Sequence, residues 1–362
     1  MTNFIKGRGA QHQPENKFLE HHHEVLEDFL NFCELEGEEA DKNKTESIPV
    51  FPKTIVNKVT SPDVGMGYSL NPYQGCEHGC VYCYARNSHE YWGYNAGMDF
   101  ERKILVKKNA PELLEKFLLN INWEPHPIIL SGNTDCYQPL ERKMEITREL
   151  LKVFLKFKHP VGIITKNALI TRDLDILEAL TKDNLVHVSI SLNSLNEDLR
   201  RLLEPRTASV KMRLKTIETL SSKGIPVNVM VAPIIPGLNS HEIIPVVKAV
   251  TDCGAVSIGR TIVRLNGKIG EVFTEWIQKA LPDRAEKVLH QIADCHGGAI
   301  NDSQFGRRMR GEGNIAAQIH RQFEIATNKY LKNKSLPKLN TSLYDIERRR
   351  LLRTQNGQME LF

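Results

Sequence analysis

The sequence predicts an α/β fold: a partial (βα)6 barrel with a helical, basic C-terminal region and a partly disordered N-terminal extension. Between residues 67 and 265, short β-rich runs alternate with helical periodicities, the order that gives parallel strands joined by crossover helices. The runs carry Val and Ile on both faces, which is typical of strands covered by helices on one side and facing a barrel interior on the other. We expect an extension over residues 1–45, the barrel over 46–280, the basic helical region over 281–353 and a flexible tail over 354–362.

Six runs qualify as strands, and four intervals between them have helical spacing. The predicted strands are 67–72, 127–132, 161–166, 186–192, 227–235 and 257–265, and the predicted helices are 145–158, 173–180, 210–223 and 241–251. The third helix is followed by Gly224, a common helix stop. Beyond residue 282 the pattern becomes helical and basic.

Composition restricts the class of protein. The chain has 362 residues, of which 41% are hydrophobic and 25% charged, and this composition excludes a wholly disordered chain, collagen and a coiled coil. Its longest apolar runs reach about half of the roughly 18 residues that indicate a membrane span, and the first residues lack the apolar core of a signal peptide. We therefore expect a cytoplasmic protein with no membrane partner. The net charge of +4 is too small to indicate nucleic acid by itself.

The N-terminal extension combines three consecutive histidines, at positions 21–23, with an acidic stretch. Residues 23–35 have helical spacing. The histidines could bind a metal, but no Cys or carboxylate accompanies them at a fixed spacing, so a solvated turn is the preferred interpretation.

The most informative residues are Cys76, Cys80 and Cys83, a C-x3-C-x2-C run directly after the first predicted strand. Three thiolates on one loop can hold three irons of a [4Fe-4S] cluster and leave the fourth iron open. A structural zinc site would need a fourth ligand, for which His78 or His89 could be proposed, but the spacing is not that of paired C-x2-C zinc modules. Buried structural cysteines are the other alternative.

The cysteine run, with Tyr82 in the aromatic position before the third cysteine, resembles the signature of radical S-adenosylmethionine (SAM) enzymes. The resemblance implies that the cysteines bind a catalytic [4Fe-4S] cluster whose open iron chelates SAM. It further implies that a 5′-deoxyadenosyl radical abstracts hydrogen from the substrate, that Tyr82 lies near the adenine, and that a flavodoxin- or ferredoxin-type protein donates the electron.

Polar side chains at the later strand ends extend this resemblance to SAM binding. The family contacts the methionine amino group after the second strand, the carboxylate after the third, the ribose after the fourth and the adenine after the fifth. The corresponding residues are Ser131, Thr134 and Asp135, then Lys166, then Ser189, Ser191 and Asn193, and finally Pro236 and Gly237. Each of them could alternatively cap a helix or turn the chain.

Within the superfamily, the chain is most similar to the spore photoproduct lyase and DNA repair photolyase-like group. The shared residues include Glu204-Pro-Arg-Thr-Ala and Arg213, and a poorly characterised bacterial branch also shares Lys6-Gly-Arg-Gly-Ala. In the spore lyase a hydrogen-donating cysteine precedes the Thr/Ser-Asp pair of the second strand, whereas Cys136 here follows Asp135. Cys136 could return hydrogen to a substrate radical, or it could be a small buried apolar residue. Reversal of thymine dimers is therefore not predicted.

Two further features bear on the substrate. Arginines cluster at 307–310 and 348–353, and they could neutralise phosphates or form a solvated face balanced by nearby acids. The last five residues, 358–362, resemble the Gln-x-x-Leu-Phe peptide by which bacterial repair proteins bind the DNA polymerase sliding clamp, although Leu361 and Phe362 could instead fold back onto the domain. We expect radical chemistry on a nucleic acid, as a lyase or modifying enzyme of DNA repair. The alternatives are the same chemistry on a small molecule or protein side chain, and a non-catalytic Fe-S protein.

Overall fold

The computed structural model describes residues 4–16, 18 and 45–359. The histidine triplet, the helical spacing over residues 23–35 and the last three residues of the clamp-like motif lie outside these residues. Among the helices that the structure describes, none has both the length and the apolar character that a membrane crossing requires.

A seven-stranded sheet forms the centre of the fold. Its strand order is β10-β9-β8-β7-β6-β3-β2, and all neighbours are parallel except β2 and β3. The strands in chain order are β1 Glu46–Val50, β2 Val56–Lys58, β3 Tyr68–Leu70, β4 Tyr73–Gln74, β5 Lys103–Lys107, β6 Ile128–Leu130, β7 Val161–Thr165, β8 Val186–Ser191, β9 Val227–Ile234 and β10 Ser257–Ile262. All six predicted strands are confirmed, and they are the six parallel ones.

Helices follow the parallel strands and cover the outside of the sheet. They are α1 Met98–Arg102, α2 Ala110–Leu118, α3 Glu141–Met144, α4 Ile146–Lys156, α5 Leu174–Lys182, α6 Glu197–Leu203, α7 Val210–Ser222, α8 Ile243–Asp252, α9 Lys268–Ala280, α10 Pro282–Cys295, α11 Gly313–Tyr330 and α12 Ser342–Met359. The four predicted helices correspond to α4, α5, α7 and α8. The α/β fold with its partial barrel and helical C-terminal region is thus confirmed.

Alternation along the strands separates the two faces of the sheet. On β8, Val188 and Ile190 are buried in the main core with the apolar residues of the covering helices. Ser189 points to the opposite face, where its hydroxyl accepts a hydrogen bond from Asn228 of β9 at 3.1 Å. The polar residues therefore line the barrel interior, where a ligand would bind.

A second, three-stranded sheet was not predicted from the sequence. Its order is β1-β5-β4, with β5 parallel to β1 and antiparallel to β4. β4 has two residues and β1 is mostly exposed, so neither has the apolar run that marked the barrel strands.

The open side of the barrel is crossed by residues 304–312, which we name the arginine loop. At one edge, the Ile262 amide of β10 donates to the Met309 carbonyl at 3.1 Å. At the other edge, which follows β2, Asp63 accepts from the Gly306 amide at 2.7 Å and pairs with the Arg308 guanidinium. The loop therefore spans the gap between the two edge strands.

The C-terminal helix α12 includes residues 354–359, for which the sequence predicted a flexible tail. The helix is anchored at its start, where the buried Tyr344 hydroxyl donates to the Leu118 carbonyl at the end of α2. The helical spacing continues through residue 359 because neither Gly357 nor the polar residues before it interrupt the backbone hydrogen bonds.

Candidate active site

The loop of residues 76–83, which we name the cysteine loop, places three free thiols after β4. Its start is fixed by the Cys76 amide, which donates to the Phe100 carbonyl at 2.8 Å. Gly75 precedes it with φ at +84°, and an added Cβ there would lie 2.8 Å from the Lys103 carbonyl oxygen, so only glycine fits. Cys76 and Cys80 are each 6% exposed. The loop start is therefore fixed by backbone contacts, and two of the three thiols are shielded from water, while Cys83 is partly exposed.

The donor set fits a cluster better than a single ion. Among the residues that the structure describes, no three His, Cys, Asp or Glu side chains are placed to hold one metal ion. A zinc site would need its thiolate sulfurs about 2.3 Å from a common centre, whereas a [4Fe-4S] cube attaches each thiolate to a different iron. Of the two proposed fourth ligands, His78 lies 3.3 Å from the Asp135 carboxylate, and His89 is fully buried.

The N-terminal residues 4–16 pack against the cysteine loop, and we name them the strap. The buried Glu101 carboxylate accepts from the amides of Gly9 at 3.2 Å and Ala10 at 2.8 Å, and it pairs with the Arg86 guanidinium at 2.6 Å. Gly9 lies so close to the loop that an added Cβ would be 1.8 Å from the Gly79 carbonyl oxygen. Part of the predicted extension is therefore a structural support of the site.

Tyr82 is fixed by a buried ion pair. Its hydroxyl donates to the Glu204 carboxylate, which also pairs with Arg213 at 2.5 Å, and both charged residues are 1% exposed. Arg213 in turn donates to the Ser191 carbonyl at the end of β8, at 2.9 Å. Although burial raises the pKa of Glu204, Arg213 and Lys166 lower it below its usual value. The tyrosine ring thus has one position, set by two elements far apart in sequence.

Asp135 links the ends of β6 and β7 to the cysteine loop. Its carboxylate accepts from the Thr165 hydroxyl and from the Lys166 amide, both at 2.8 Å, and lies near the His78 ring. Burial raises the pKa of Asp135, but His78 and Lys166 lower it to about 2, so the group is ionised at neutral pH. Both carboxylate oxygens are therefore already bonded within the protein.

The Lys166 side chain lies near the Cys80 thiol and the carboxylates of Glu204 and Asp135. Burial lowers its pKa, but Cys80, Glu204 and Asp135 outweigh this effect and raise it above its usual value. The ammonium forms no ion pair or hydrogen bond with any residue that the structure describes. It is a charged donor without a partner, next to the predicted cluster ligands.

The polar residues after β6 are used within the fold. The Ser131 hydroxyl accepts from the Cys136 amide at 2.6 Å, and the Thr134 hydroxyl donates to the Tyr73 carbonyl at 2.6 Å. Cys136 is 0% exposed in the main core, where burial raises its pKa well above the usual range. This placement favours the interpretation of Cys136 as a buried apolar residue.

The ends of β8 and β9 are tied together by amides. Asn239 donates to the carbonyls of Asn193 at 2.9 Å and Pro233 at 3.1 Å. The following turn contains Pro236 and Gly237, and its apolar neighbours Ile235 and Leu238 belong to the same buried cluster as Cys80, Val81 and Tyr82.

Gly237 faces α10, where an added Cβ would lie 3.2 Å from Val288 of that cluster. An added Cβ would lie 2.8 Å from the Gln291 side chain on α10, so Gly237 permits close packing of the helix. Its predicted place near the adenine stays a prediction.

Two residues at the barrel mouth were missed by sequence reasoning. Arg264, just after β10, is partly buried and forms no ion pair among the described residues. Burial and then Arg308 lower the pKa of Arg264, while Asp63 and Tyr84 raise it. These three residues therefore lie near the Arg264 side chain. Tyr84 directly follows Cys83, is 51% exposed, and donates its hydroxyl to the Gly132 carbonyl at 2.6 Å. Only the position of Tyr84 after the third cysteine could have indicated a role.

The two arginine clusters differ in how they are used. In the second, Arg348 donates to the carbonyls of Asn120 at 2.9 Å and Trp123 at 3.1 Å, and Arg350 pairs with Glu347. In the first, Arg307 pairs with Asp302 and Glu312, and Arg308 pairs with Asp63, but Arg310 forms no ion pair with the residues that the structure describes.

Comparison with known proteins agrees with this geometry. Residues 70–250 match the model of the radical SAM superfamily. An uncharacterised protein of Mycobacterium tuberculosis is 30% identical over 237 residues, covering 65% of this chain and 70% of that protein. An uncharacterised protein of Methanocaldococcus jannaschii is 28% identical over 252 residues, covering 69% of this chain and 90% of that protein. A radical SAM Nα-GlyT isomerase of Pseudomonas phage M6 is 23% identical over 204 residues, covering 56% of this chain and 38% of the isomerase.

The fold also matches solved structures. Spore photoproduct lyase complexed with dinucleoside spore photoproduct superposes with a TM-score of 0.58 at 14% identity, covering 78% of this chain and 79% of that chain. A mutant of the same enzyme with bound AdoMet and dinucleoside spore photoproduct gives 0.57 at 15% identity, with the same coverage. At this identity the likeness concerns the fold. Together with the family match over half of the chain, these findings show that the chain belongs to the radical SAM superfamily of enzymes, whose cofactors are a [4Fe-4S] cluster and S-adenosylmethionine.

Proposed function

We propose that this chain is a radical SAM enzyme that acts on a nucleic acid, in DNA repair or modification. The observation that carries the choice of substrate is the barrel mouth, where Arg264, which has no ion-pair partner among residues 4–16, 18 and 45–359, lies near the exposed ring of Tyr84. An arginine fits a phosphate, and an exposed aromatic ring can stack on a base. A cation and a ring together favour a nucleotide over an apolar small molecule.

The cofactors are assigned to side chains that form no ion pair within the described part of the chain. The thiols of Cys76, Cys80 and Cys83 hold the cluster, and the Lys166 ammonium binds the SAM carboxylate. When bound, the cluster supplies the electron that cleaves SAM, and the resulting 5′-deoxyadenosyl radical abstracts a hydrogen from the substrate. We assign Ser189 and Ser191 of β8, with Asn193 just after it, to the ribose, while Ser131, Thr134 and Asp135 shape the end of β6.

The remaining work of the protein is to orient these groups and exclude water. The Tyr82 ring is held in one position because its hydroxyl donates a hydrogen bond to the Glu204 carboxylate. Asp135 sets the backbone position of Lys166 and so the direction of its side chain. The strap covers the cysteine loop on the side of Gly79, which keeps solvent from that part of the site.

One solved structure of the same fold supports a nucleic-acid substrate. It is spore photoproduct lyase complexed with dinucleoside spore photoproduct. What we carry over to this chain is the class of substrate.

The proposal is tested by following hydrogen transfer. Protein reconstituted without oxygen is supplied with SAM, a reductant such as reduced flavodoxin or ferredoxin, and oligonucleotides deuterated in the sugar or base. Deuterium appearing in 5′-deoxyadenosine would support a nucleic-acid substrate. Transfer from small molecules or peptides, but from no oligonucleotide, would favour the alternative substrate classes.

Cysteine variants test the cluster assignment. Alanine at Cys76, Cys80 or Cys83 should abolish both the iron content and the cleavage of SAM. Cys253 is also a free thiol but lies beyond α8, so Cys253→Ala is the matched control and should retain both. A variant lacking all three loop cysteines that kept its iron and activity would contradict the assignment.

Binding to the sliding clamp is a further part of the proposal. Gln358 would make directional hydrogen bonds while Leu361 and Phe362 enter an apolar pocket, which suits delivery to duplex DNA. A peptide of the last ten residues should bind the clamp of the source organism at roughly micromolar Kd. Unchanged binding after Leu361→Ala with Phe362→Ala would rule out this docking mode.

A further inference from the structure

A cavity outside the barrel carries unmatched positive charge. It has a volume of about 650 Å³, and we name it the arginine cavity. It lies between the edge strand β10, the arginine loop and α11. Its lining includes Arg260, Phe305, Arg307, Arg310, Glu312 and His320. A smaller, more apolar cavity of about 270 Å³ adjoins it and shares Arg260, Arg310 and His320. The cysteine loop contributes nothing to either lining.

The charges around the arginine cavity do not balance. Arg307 is matched, since it pairs with Asp302 at 2.7 Å and with Glu312 at 3.0 Å. Within the part of the chain that the structure describes, Arg260 and Arg310 have no ion-pair partner. The one carboxylate in the lining, Glu312, is already used by Arg307.

The two unmatched cations repel each other. Burial and then Arg310 lower the pKa of Arg260, and Glu324, which pairs with Arg321, offsets this only in part. The Arg260 guanidinium lies 5.1 Å from the Phe323 ring centre, a contact that orients it without neutralising it. An anion between Arg260 and Arg310 would remove this repulsion.

The chemistry of the lining fits a phosphate. A guanidinium presents donors in a planar fork that matches two phosphate oxygens, and two such forks face this space. His320 adds a ring whose Nε2 lies 2.9 Å from the Arg310 carbonyl, which helps to hold that part of the loop. The cavity volume of about 650 Å³ equals that of roughly 20 water molecules in the liquid, at about 30 Å³ each. The cavity therefore has room for a phosphate with part of a sugar.

The position of the cavity favours a nucleic-acid strand as the source of that phosphate. The arginine loop that walls it also spans the gap beside the barrel mouth, where it is bonded to Asp63. Phe305 on this loop is 57% exposed, with the Arg308 guanidinium 4.2 Å from its ring centre. Exposed rings interleaved with cations are the usual track for single-stranded nucleic acid.

We propose that the arginine cavity binds a backbone phosphate of the nucleic-acid strand whose reacting nucleotide lies at the barrel mouth, an inference that rests on the proposed function. Arg260 and Arg310 are the phosphate ligands, and Phe305 is a stacking surface between the cavity and the mouth.

The test compares two double variants of the full, cluster-bearing chain at equal iron content. Arg260→Gln with Arg310→Gln removes the two proposed ligands, and Lys332→Gln with Arg349→Gln removes two exposed charges that do not line the cavity. Binding of a fluorescent single-stranded oligonucleotide is measured by anisotropy over a series of salt concentrations. Losing the contact with this one phosphate should weaken binding and reduce the slope of log K against log salt by about 0.7. The control pair should keep the slope of the unmodified protein.

A second measurement identifies the source of the phosphate. Arginine modification by phenylglyoxal, read by mass spectrometry, is followed with inorganic phosphate or with the oligonucleotide present, and both should protect Arg260 and Arg310. Protection by phosphate but not by the oligonucleotide would overturn the strand as the occupant of the cavity, while the nucleic-acid substrate would still be decided by deuterium transfer. Tight oligonucleotide binding with equal slopes in the two double variants would overturn the cavity and leave the proposed function standing.

Discussion

The cysteine loop and the arginine loop border the same barrel, but their charges are arranged in opposite ways. Around the cysteine loop the buried carboxylates Glu101, Glu204 and Asp135 are each matched by a cation or by several donors. Around the arginine loop, Arg310 and Arg260 have no such match among the described residues. Matched charges hold a site in place, whereas unmatched charges indicate where a ligand supplies the missing sign. Lys166 is the exception, an unmatched cation inside the matched region, and this is why we assign it to SAM.

The largest effect is expected from breaking a matched pair. Glu204→Ala leaves Arg213 buried without its counter-ion and Tyr82 without its acceptor. Removing one partner of a buried pair costs about 3–5 kcal/mol, and the free energy of unfolding of the iron-containing protein should fall by that amount. Chemical denaturation measures it.

An exposed pair provides the control for this prediction. Glu218 pairs with Lys215 on the surface of α7, and both side chains are more than half exposed. Glu218→Ala should therefore change the unfolding free energy by less than about 1 kcal/mol. Equal losses in the two variants would show that burial of the Glu204 pair has no energetic consequence.

Lys166→Ala tests the exception. Loss of one charge-assisted hydrogen bond costs about 1.5–3 kcal/mol, so SAM should bind roughly 10- to 150-fold more weakly. Lys143, an exposed lysine on α3, is the control, and Lys143→Ala should leave the affinity unchanged. Calorimetric titration of SAM into the cluster-bearing protein gives both constants, and an unchanged Kd for Lys166→Ala at normal iron content would remove the assignment.

Gly9→Ala tests whether the strap supports the cysteine loop. The new methyl group would overlap the Gly79 carbonyl, and overpacking of this kind costs about 1–3 kcal/mol. We expect a lower unfolding free energy together with a lower iron content after reconstitution. Gly65→Ala is the control, because an added Cβ there meets nothing within 4 Å. Normal iron content in the Gly9 variant would mean that the strap only covers the loop.

The smallest effect separates a structural arginine from a solvated one. Arg348 bonds to carbonyls beyond the end of α2, whereas its neighbour Arg349 is exposed. Arg348→Ala should lower the unfolding free energy by about 1 kcal/mol. For Arg349→Ala we expect a change within about 0.5 kcal/mol. If thermal and chemical denaturation gave similar losses of unfolding free energy for the two variants, the carbonyl hydrogen bonds of Arg348 would not stabilise the fold.

The barrel was predictable because its strands are short runs rich in Val and Ile with helical patterns between them. In β8 and β9 the Val and Ile residues pack in the core, while Ser189 and Asn228 face the barrel interior. The small sheet was not predictable, since β4 has two residues and pairs only through contacts distant in sequence. The strap was visible only as an unexplained motif, because its acceptor Glu101 lies 91 residues beyond Ala10.

At the site, sequence reasoning found the residues whose spacing is local and missed those that depend on tertiary contact. The three cysteines lie within eight residues of the sequence, and Lys166 directly follows β7. Arg264 has no distinguishing neighbour in the sequence. Its significance comes from the fold, where it forms no ion pair among the described residues and the nearby Asp63 pairs with Arg308 instead. Asp135 was expected to contact SAM, but its oxygens are bonded to Thr165 and Lys166, so it acts through them.

Because a loop, and not a strand, crosses the gap in the barrel, related proteins can differ in the width of this gap. A closed barrel fixes its width through strand number and register, whereas here the span between Ile262 and Asp63 is set by residues that belong to no sheet. Insertions or deletions among residues 304–312 would widen or narrow the opening while the seven strands keep their pairing. Relatives with the same cluster chemistry could in this way accommodate substrates of different bulk, and the length of this single crossing is the variable to compare among them.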